Sequence, residues 1–505
     1  MTTEQAHTET SVQAVRGMFG RDSIYLGLWA GQTVVATVIT PVATRLLGPR
    51  EFGQVYAAIA VMQVMVAIAS FSLQTAVQRA FAEENGEAKA RRLVMLSVLM
   101  ATATFLIAYA TGPVWSRGVG LGDFPLPVKY AVAWAATTAV SNAALGLVRS
   151  RDQLWWFALA GLMQSIVAAG LAIGLVLVGH RNAGDYLLGE LLGQVLCVAV
   201  ALFAARPALP SRSDIPMLVD ALRYSAALAP GLLAGFVMDG SDRIVIHGDL
   251  GPSAVAKFAV ARNIGGFITI FLIMLEVVWM PRLYALRDNP ILGVVLRASR
   301  SGLLVLSVCL SVAVAMASPV ILWAWVPRSF DPDHLLLVTA LIAAMGVPLA
   351  AGQSFVQVLL LANRSASVSV AMIGSAVMNL ALNLIVVPRY GIDGAAAVTL
   401  FSYTAQTVAL WYFALGTGNL PSVRPSLLAL IVGGAAICIV SSAIPVDAVA
   451  VIVRLLITAV ATMLFSAQLL TFVGAQKFGR YSRLADSLRH LAISPLIDVD
   501  QQGEG

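Results

Sequence analysis

Apolar residues in this chain come in long blocks, not in amphipathic stripes. Ile59 to Ser70, Leu93 to Ala110, Ile166 to Val178 and Leu303 to Ala317 contain no charged side chain. A helix that crosses a bilayer needs roughly 20 mostly apolar residues. Blocks near that size recur, divided by short polar breaks, from Ile24 to Val473. The pattern predicts about fourteen transmembrane helices of that length. Their limits are 24–46, 53–80, 93–114, 128–148, 154–178, 186–205, 222–247, 253–281, 301–325, 335–361, 366–388, 392–415, 426–444 and 449–473. The expected fold is therefore all-α and integral to the membrane. Asn363, Arg364 and Ser365 supply the turn between two spans that would otherwise merge.

Composition agrees with this picture. The chain is 59% hydrophobic and 11% charged, against about 45–50% and about 25% in soluble domains. Polar residues Thr2, Glu4, Gln5, His7 and Glu9 come before any apolar core, so no cleavable secretory signal is expected. Cys197, Cys309 and Cys438 each lie inside an apolar stretch. Their spacing suits neither a metal site nor a disulfide framework, and neither metal nor cofactor is expected.

A net charge of +6 invites a nucleic-acid reading, but the placement of the charges argues against it. With a cytoplasmic N-terminus, Arg79, Arg91, Arg92, Arg149, Arg151 and Arg206 fall on the cytoplasmic side, as does most of the remaining basic excess. That is the positive-inside bias of a membrane protein, and it puts both termini in the cytoplasm. The basic residues are spread over separate segments and are not interleaved with aromatics.

The chain also repeats itself. Leu47-Gly48-Pro49 follows the first span and Leu250-Gly251-Pro252 follows the seventh. Arg79 and Arg282 close the next span in each case; 252 minus 49 and 282 minus 79 both give 203. Duplicated bundles are a common plan for transporters, with the substrate site between the repeats. The expected organisation is a cytoplasmic segment (1–22), a six-helix bundle (23–205) and a cytoplasmic linker (206–221). A second, pseudo-symmetric six-helix bundle (222–416), two C-terminal helices (424–474) and a cytoplasmic tail (475–505) follow. Leu484, Leu488 and Leu491 of the tail fall near one helical face, as in a helix lying on an anionic leaflet.

Ionisable residues inside spans are costly, about 2.5–3.5 kcal/mol on insertion scales, and are functional candidates for that reason. Asp239, Asp242 and Arg243 lie within one turn of each other, and Arg262 is near mid-membrane in the next span. Either arginine suits a diphosphate or an acidic sugar; internal salt bridges between these residues are the alternative. Glu276 is a candidate for ion coupling or for pairing with an arginine. Arg45 is a cleft residue or a snorkelling interface residue. Arg79 and Arg282 are gate residues or positive-inside anchors. Asn379 and Asn383 share a helix face and are candidates for a polar cleft.

Four stretches carry a family resemblance: RLLGPREFGQVYAAIAVMQ (45–63), YSAALAPGLLAGFVMDGSDRIVIHGDLGPSAVAKFAVARNI (224–264), VVWMPRLYAL (277–286) and NLALNLIVVPRYGIDGAAAVTLFSY (379–403). The chain resembles the polysaccharide-transporter branch of the multidrug/oligosaccharidyl-lipid/polysaccharide flippase superfamily. The resemblance implies a flippase for undecaprenyl-diphosphate-linked oligosaccharides in the bacterial cytoplasmic (inner) membrane. Such a protein works by alternating access and serves O-antigen (lipopolysaccharide), capsule or exopolysaccharide biosynthesis. It also implies, as partners, the lipid-linked oligosaccharide, membrane lipids and other polysaccharide-assembly proteins. A cation-coupled drug antiporter and a lipid II flippase are alternatives within the superfamily. A membrane glycosyltransferase or polymerase is the alternative from another class. Against an enzyme, the longest expected outer loop, Trp115 to Pro127, holds only Arg117 and Asp123 as charged residues between its proline and its basic flank.

Overall fold

A computed structural model describes residues 3–273, 283, 292–417 and 425–473, with 3–30 described by backbone alone. Every regular element among the described residues is helical. Hydrocarbon offers no hydrogen-bond partners, so a spanning segment must satisfy its backbone internally, and a helix does so within one segment. Ten helices among the described residues are long and apolar enough to cross a membrane. The number rises to 11 if Pro252–Gly265 and Phe267–Ile273, bent by 49° at their junction, form one broken span.

The shortfall against the expected fourteen has a physical origin. Two predicted pairs are continuous helices with a kink, not helices joined by a loop. The helix α1 (Thr3–Ser70) carries its break at Gly48, where φ is 70° and ψ 175°. A proline displaces the residue before it from the α region, and Pro49 follows Gly48. Helix α14 (Ser365–Leu415) breaks at Gly391, with φ 61° and ψ −146°. At 1.5 Å per residue α14 is about 77 Å long, more than twice the hydrocarbon thickness of about 30 Å. Its halves on either side of Gly391 are each of membrane length. The expected turn at Asn363 is present, with α13 (Leu336–Leu361) ending before it and Asn363 at φ 58°.

The chain divides into two compact units, residues 1–256 and 257–505. The first holds α1, α2 (Leu73–Phe81), α3 (Gly86–Ala110), α4 (Gly112–Gly118) and α5 (Leu126–Ser150). It continues with α6 (Leu154–Leu162), a π-helical turn (Met163–Val167), α7 (Ala168–Val178), α8 (Ala183–Ala205) and α9 (Ile215–Leu250). Helix α1 packs on α5 and α9, and α8 packs on α5 and α7. At one end, Leu73, Val77, Leu93 and Leu147 form a core that is fully buried.

The segment expected as a linker is short and anchored, because α9 begins at Ile215. Ser211 and Asp214 cap each other around a single 3-10 turn, and Arg92 holds Asp214 at 2.5 Å. At its other end α9 stops at Gly251, with φ 82° and ψ 175°. The two Leu-Gly-Pro corners thus share a backbone conformation as well as a sequence. They also meet: a Cβ on Gly53 would fall 1.7 Å from the Pro252 carbonyl oxygen, so only glycine fits there.

The second unit continues α10 (Pro252–Gly265) into α11 (Phe267–Ile273), then α12 (Leu292–Trp325), α13, α14, α15 (Pro425–Ser441) and α16 (Ala448–Val473). Helices α12 and α13 are its most covered spans, with 78% and 72% of their most apolar windows buried, against 11% for α16. The apolar face of α16 is left for lipid. The buried Arg454 ties α16 back to α15, donating to the carbonyls of Ser441 and Ile444 at the α15 C-terminus. The expected tail helix after Lys477 lies outside the described residues.

Candidate functional site

The first unit contains a partly open cavity of about 280 Å³ among α1, α5, α8 and the α6–α7 segment. Tyr56, Trp134, Gln164, Ser165, Tyr186 and Glu190 give it its polar and aromatic lining, set among aliphatic residues of α1. Two local features build it. The first is the π turn Met163–Val167 between α6 and α7; the wider turn carries Gln164 and Ser165, both of which line the cavity. Such insertions are frequent at functional sites. Ser165 returns its hydroxyl to the Gly161 carbonyl at 2.7 Å, and Gln164 Oε1 accepts from the Cys197 thiol at 3.9 Å.

The second feature is the close approach of α8 to α7. A Cβ on Gly189 would lie 2.3 Å from Ala172 Cα, and one on Gly193 would lie 2.3 Å from Ala168 Cα. Small residues four apart let helix backbones approach in a membrane. Glu190 directly follows Gly189, so this packing fixes its position. Tyr186 stands one turn earlier on the same helix face. A carboxyl group in this setting is stable only with polar neighbours or room for water, and the cavity provides both.

Helix α9 adds a cation beside the cavity. Asp242 is fully buried and Arg243 nearly so. The Arg243 guanidinium lies over the Tyr56 ring at 5.4 Å, within cation–π range. Phe52 supports Tyr56 from one turn earlier, with ring centroids 4.8 Å apart. Tyr56 thus contacts the cavity on one side and the α9 cation on the other. The ensemble offers a carboxyl, a phenol and an amide to a hydroxylated or cationic guest, and a guanidinium suited to an oxyanion.

The family model described as polysaccharide biosynthesis protein matches residues 19–286, more than half of the chain and all of the cavity lining. The chain belongs to that family. No curated protein matches it. Among solved structures it is similar to "Lipid II flippase MurJ, inward closed conformation" at 12% identity and a TM-score of 0.58, covering 88% of this chain and 99% of that one. It is also similar to an inward-facing multidrug resistance MATE family transporter of the MOP superfamily, at 14% identity and a TM-score of 0.61, with coverage of 79% and 95%. Vibrio cholerae MATE transporter VcmN matches at 14% identity and a TM-score of 0.56, with coverage of 81% and 98%. The fold of this polysaccharide biosynthesis protein is therefore the MATE- and MurJ-like transporter fold, and the chain is a multi-pass membrane protein.

The residues singled out from the sequence are dispersed over this fold. Arg243 stands beside the cavity in the first unit, over Tyr56, with Asp242 buried next to it in the chain and Asp239 partly exposed one turn earlier. Arg45 is exposed on α1 and donates to the Pro41 carbonyl at 3.2 Å. Arg79 lies over the Tyr224 ring at 4.6 Å, with Glu83 at 3.8 Å and Asp220 at 3.9 Å. Arg262 is partly exposed on α10 in the second unit. Asn379 and Asn383 are fully buried; Asn383 donates to Asn379 at 3.1 Å and Asn379 donates to Ser402 at 3.2 Å. Glu276 and Arg282 lie outside the described residues. Arg117 in the last turn of α4 pairs with Asp123 in the loop that follows, and the hydrogen bond from Arg117 holds the Asp123 carboxyl below its usual range.

Glu190 and Tyr186 were not among the sequence candidates. The signal was available: Glu190 is a lone acid in LLGELLGQ within a predicted span, the same criterion that selected Asp239 and Glu276. The α9 cluster drew attention because its charges are dense, whereas Glu190 is isolated.

Proposed function

We propose that this protein flips undecaprenyl-diphosphate-linked oligosaccharide repeat units across the bacterial cytoplasmic membrane by alternating access, for O-antigen, capsule or exopolysaccharide assembly. In this reading the kinks at Gly48 and Gly391 divide α1 and α14 into two spans each. With the broken α10–α11 span and the short α15, the count becomes about fourteen spans of bilayer length, with both termini cytoplasmic. The observation that carries the reading is the polar cavity, with Arg243 beside it, inside the region matched by the polysaccharide biosynthesis family. Cavity hydroxyl, amide and carboxyl groups suit a glycan. Arg243, with Arg45, Arg79, Arg262 and Arg282 as further candidates, suits the diphosphate. Asp239, Asp242 and Glu276 are candidates for cation coupling; Asn379 and Asn383, expected in a polar cleft, bond to each other and to Ser402 and serve in this reading to fasten the two halves of α14.

One observation favours a second reading. Among the described residues, the only acid lining the cavity is Glu190, set among the aromatic residues Tyr56 and Trp134, and an acid with aromatic walls also suits an organic cation. Cation-coupled drug export is therefore the alternative. Deleting the gene in its host and extracting lipid-linked intermediates separates the two. Glycan-loaded undecaprenyl diphosphate accumulates on the inner leaflet, with loss of surface polysaccharide, if the flippase reading holds. Unchanged polysaccharide with altered drug tolerance would overturn it.

A further inference from the structure

A second polar recess lies apart from the Glu190 cavity, at the end of the first unit where α3 and α6 begin and α5 and α8 finish. It has a volume of about 370 Å³ and is lined by Glu87, Arg91, Arg151, Trp156, Phe203 and Arg206, among others. We propose that it is a binding site for the phosphate of a membrane lipid headgroup.

Charge and rigidity make the first part of the case. Glu87 is the one acidic residue in a lining that holds three arginines. Arg151 pairs with Glu87 through both Nε and Nη2, and donates further to the Ala204 carbonyl at 2.7 Å and the Ala205 carbonyl at 3.0 Å. Those carbonyls form the negative end of α8; Arg151 covers them, and Glu87 balances Arg151. The field in the recess is then set by Arg91 and Arg206. Arg91 is itself oriented: its Nε donates to the Arg206 carbonyl at 2.5 Å, and its own carbonyl accepts from Ala208 N at 3.2 Å. A pre-oriented guanidinium fork matches the geometry of phosphate oxygens.

The surroundings indicate a lipid as the source of the phosphate. Trp156 and Phe203 pack with ring centroids 5.4 Å apart at the mouth of the recess. Phe203 is 65% exposed, and Leu192, Val195 and Leu196 continue an exposed apolar strip along α8 toward the membrane interior. Trp155 adds a broad exposed indole on the facing helix, as aromatic residues do at the membrane interface. A headgroup held by Arg91 and Arg206 would leave its hydrocarbon chain on this strip. The basic pattern of the sequence places this end at the cytoplasmic leaflet, which is rich in anionic lipid. The proposal does not depend on what the Glu190 cavity carries.

The test is native mass spectrometry of the full-length protein in detergent. It is titrated separately with phosphatidylcholine, phosphatidylglycerol, undecaprenyl diphosphate and inorganic pyrophosphate. Arg91→Gln combined with Arg206→Asn removes the cations, and asparagine tolerates the left-handed backbone of residue 206 (φ 51°). The double variant is expected to lose at least about fivefold in affinity for the anionic lipids. Arg149→Gln, an exposed arginine on the same end that does not line the recess, leaves affinity unchanged. If only undecaprenyl diphosphate responds, the site receives the isoprenoid carrier; if phosphatidylglycerol responds equally, it holds bulk anionic lipid. Both outcomes support a lipid phosphate. Equal retention by wild type and the double variant would overturn the proposal, as would equally tight pyrophosphate binding. Should the double variant fail to fold, Arg206→Asn alone is expected to weaken binding at least about twofold, and no change in that variant would overturn the proposal equally.

Discussion

In the first unit, Gln164, Tyr186 and Glu190 face a cavity. In the second, Asn379, Asn383 and Ser402 face one another in a buried chain of hydrogen bonds. Both groups are polar residues in membrane-length helices, and both would be selected by the same inspection of sequence. They differ in what their hydrogen-bonding capacity is directed at. The asparagine chain is largely self-satisfied and joins the two halves of α14 across the Gly391 break. The Glu190 group is held at the margin of an open volume by a π turn and a glycine-lined helix contact. Polarity inside a span therefore marks a candidate site only where the fold leaves room beside it. Otherwise it serves as an interhelical fastening.

The largest expected effect comes from closing that room at its foundation. Gly189→Val places a branched side chain where even a Cβ would sit 2.3 Å from Ala172 Cα. Overpacking of this kind costs typically about 1–3 kcal/mol and occasionally more, and here the obstacle is backbone. The folded protein recovered in detergent should fall sharply, as read by fluorescence-detected size exclusion. The equivalent change at Gly374, where nothing lies within 4 Å of a Cβ, should leave recovery near wild type.

Next is the carboxyl itself. Glu190→Gln keeps the shape of the cavity and removes its one acid. Transport, measured as surface polysaccharide per folded molecule, should drop by at least about tenfold, equivalent to about 1.4 kcal/mol. Thermal stability should hold or rise, because a half-buried ionisable group is replaced by a neutral amide of the same shape. A variant that transports normally would reduce Glu190 to a structural residue and remove the distinction between the two polar groups.

Much of this fold was legible in the sequence, for a simple reason. Hydrocarbon imposes a length and a polarity on each span, and blocks such as Leu93 to Ala110 state both. The Leu-Gly-Pro corners were legible as well, because a proline constrains the residue before it and glycine is the residue that most readily accepts a positive φ. The continuity of α1 through Gly48 and of α14 through Gly391 was not legible. A glycine at a short break between apolar blocks reads equally as a loop or a kink, and packing decides between them. The site was only half legible. Arg243 stands out as a charge in a span, but its partner Tyr56 comes from α1, nearly 190 positions away, and no local pattern links them. The π turn at Met163–Val167 has no periodic signature, so the sequence marks Gln164 and Ser165 as polar residues in an apolar span without telling cavity lining from interhelical bonding.

A smaller effect is expected in the asparagine chain, and its form matters more than its size. Asn379→Leu leaves Asn383 and Ser402 without the bonds they now make, and an unsatisfied buried group costs about 1–3 kcal/mol. Replacing both asparagines with leucine removes donor and acceptor together and should recover part of that loss. The non-additivity is read from thermal unfolding of the two single variants and the double variant. Transport per folded molecule should stay near wild type throughout. If it falls in the double variant while stability recovers, the asparagines belong to a substrate path and the comparison drawn above fails.

The smallest effect concerns the link between cavity and cation. A cation–π contact contributes about 0.5–1 kcal/mol when exposed and about 2 when desolvated, and the Arg243 environment is close to the desolvated end. Tyr56→Phe keeps the ring and removes only the hydroxyl; Tyr56→Leu removes the ring. If Tyr56 acts by holding Arg243 against its face, the phenylalanine variant should transport nearly as wild type and the leucine variant should lose a few-fold, within the factor of about ten that 1.4 kcal/mol allows. If the hydroxyl instead contacts the cargo, the order reverses in kind: phenylalanine alone is enough to lower transport, and leucine adds little. Flipping assays on the two variants therefore separate a ring that positions a cation from a phenol that binds a glycan.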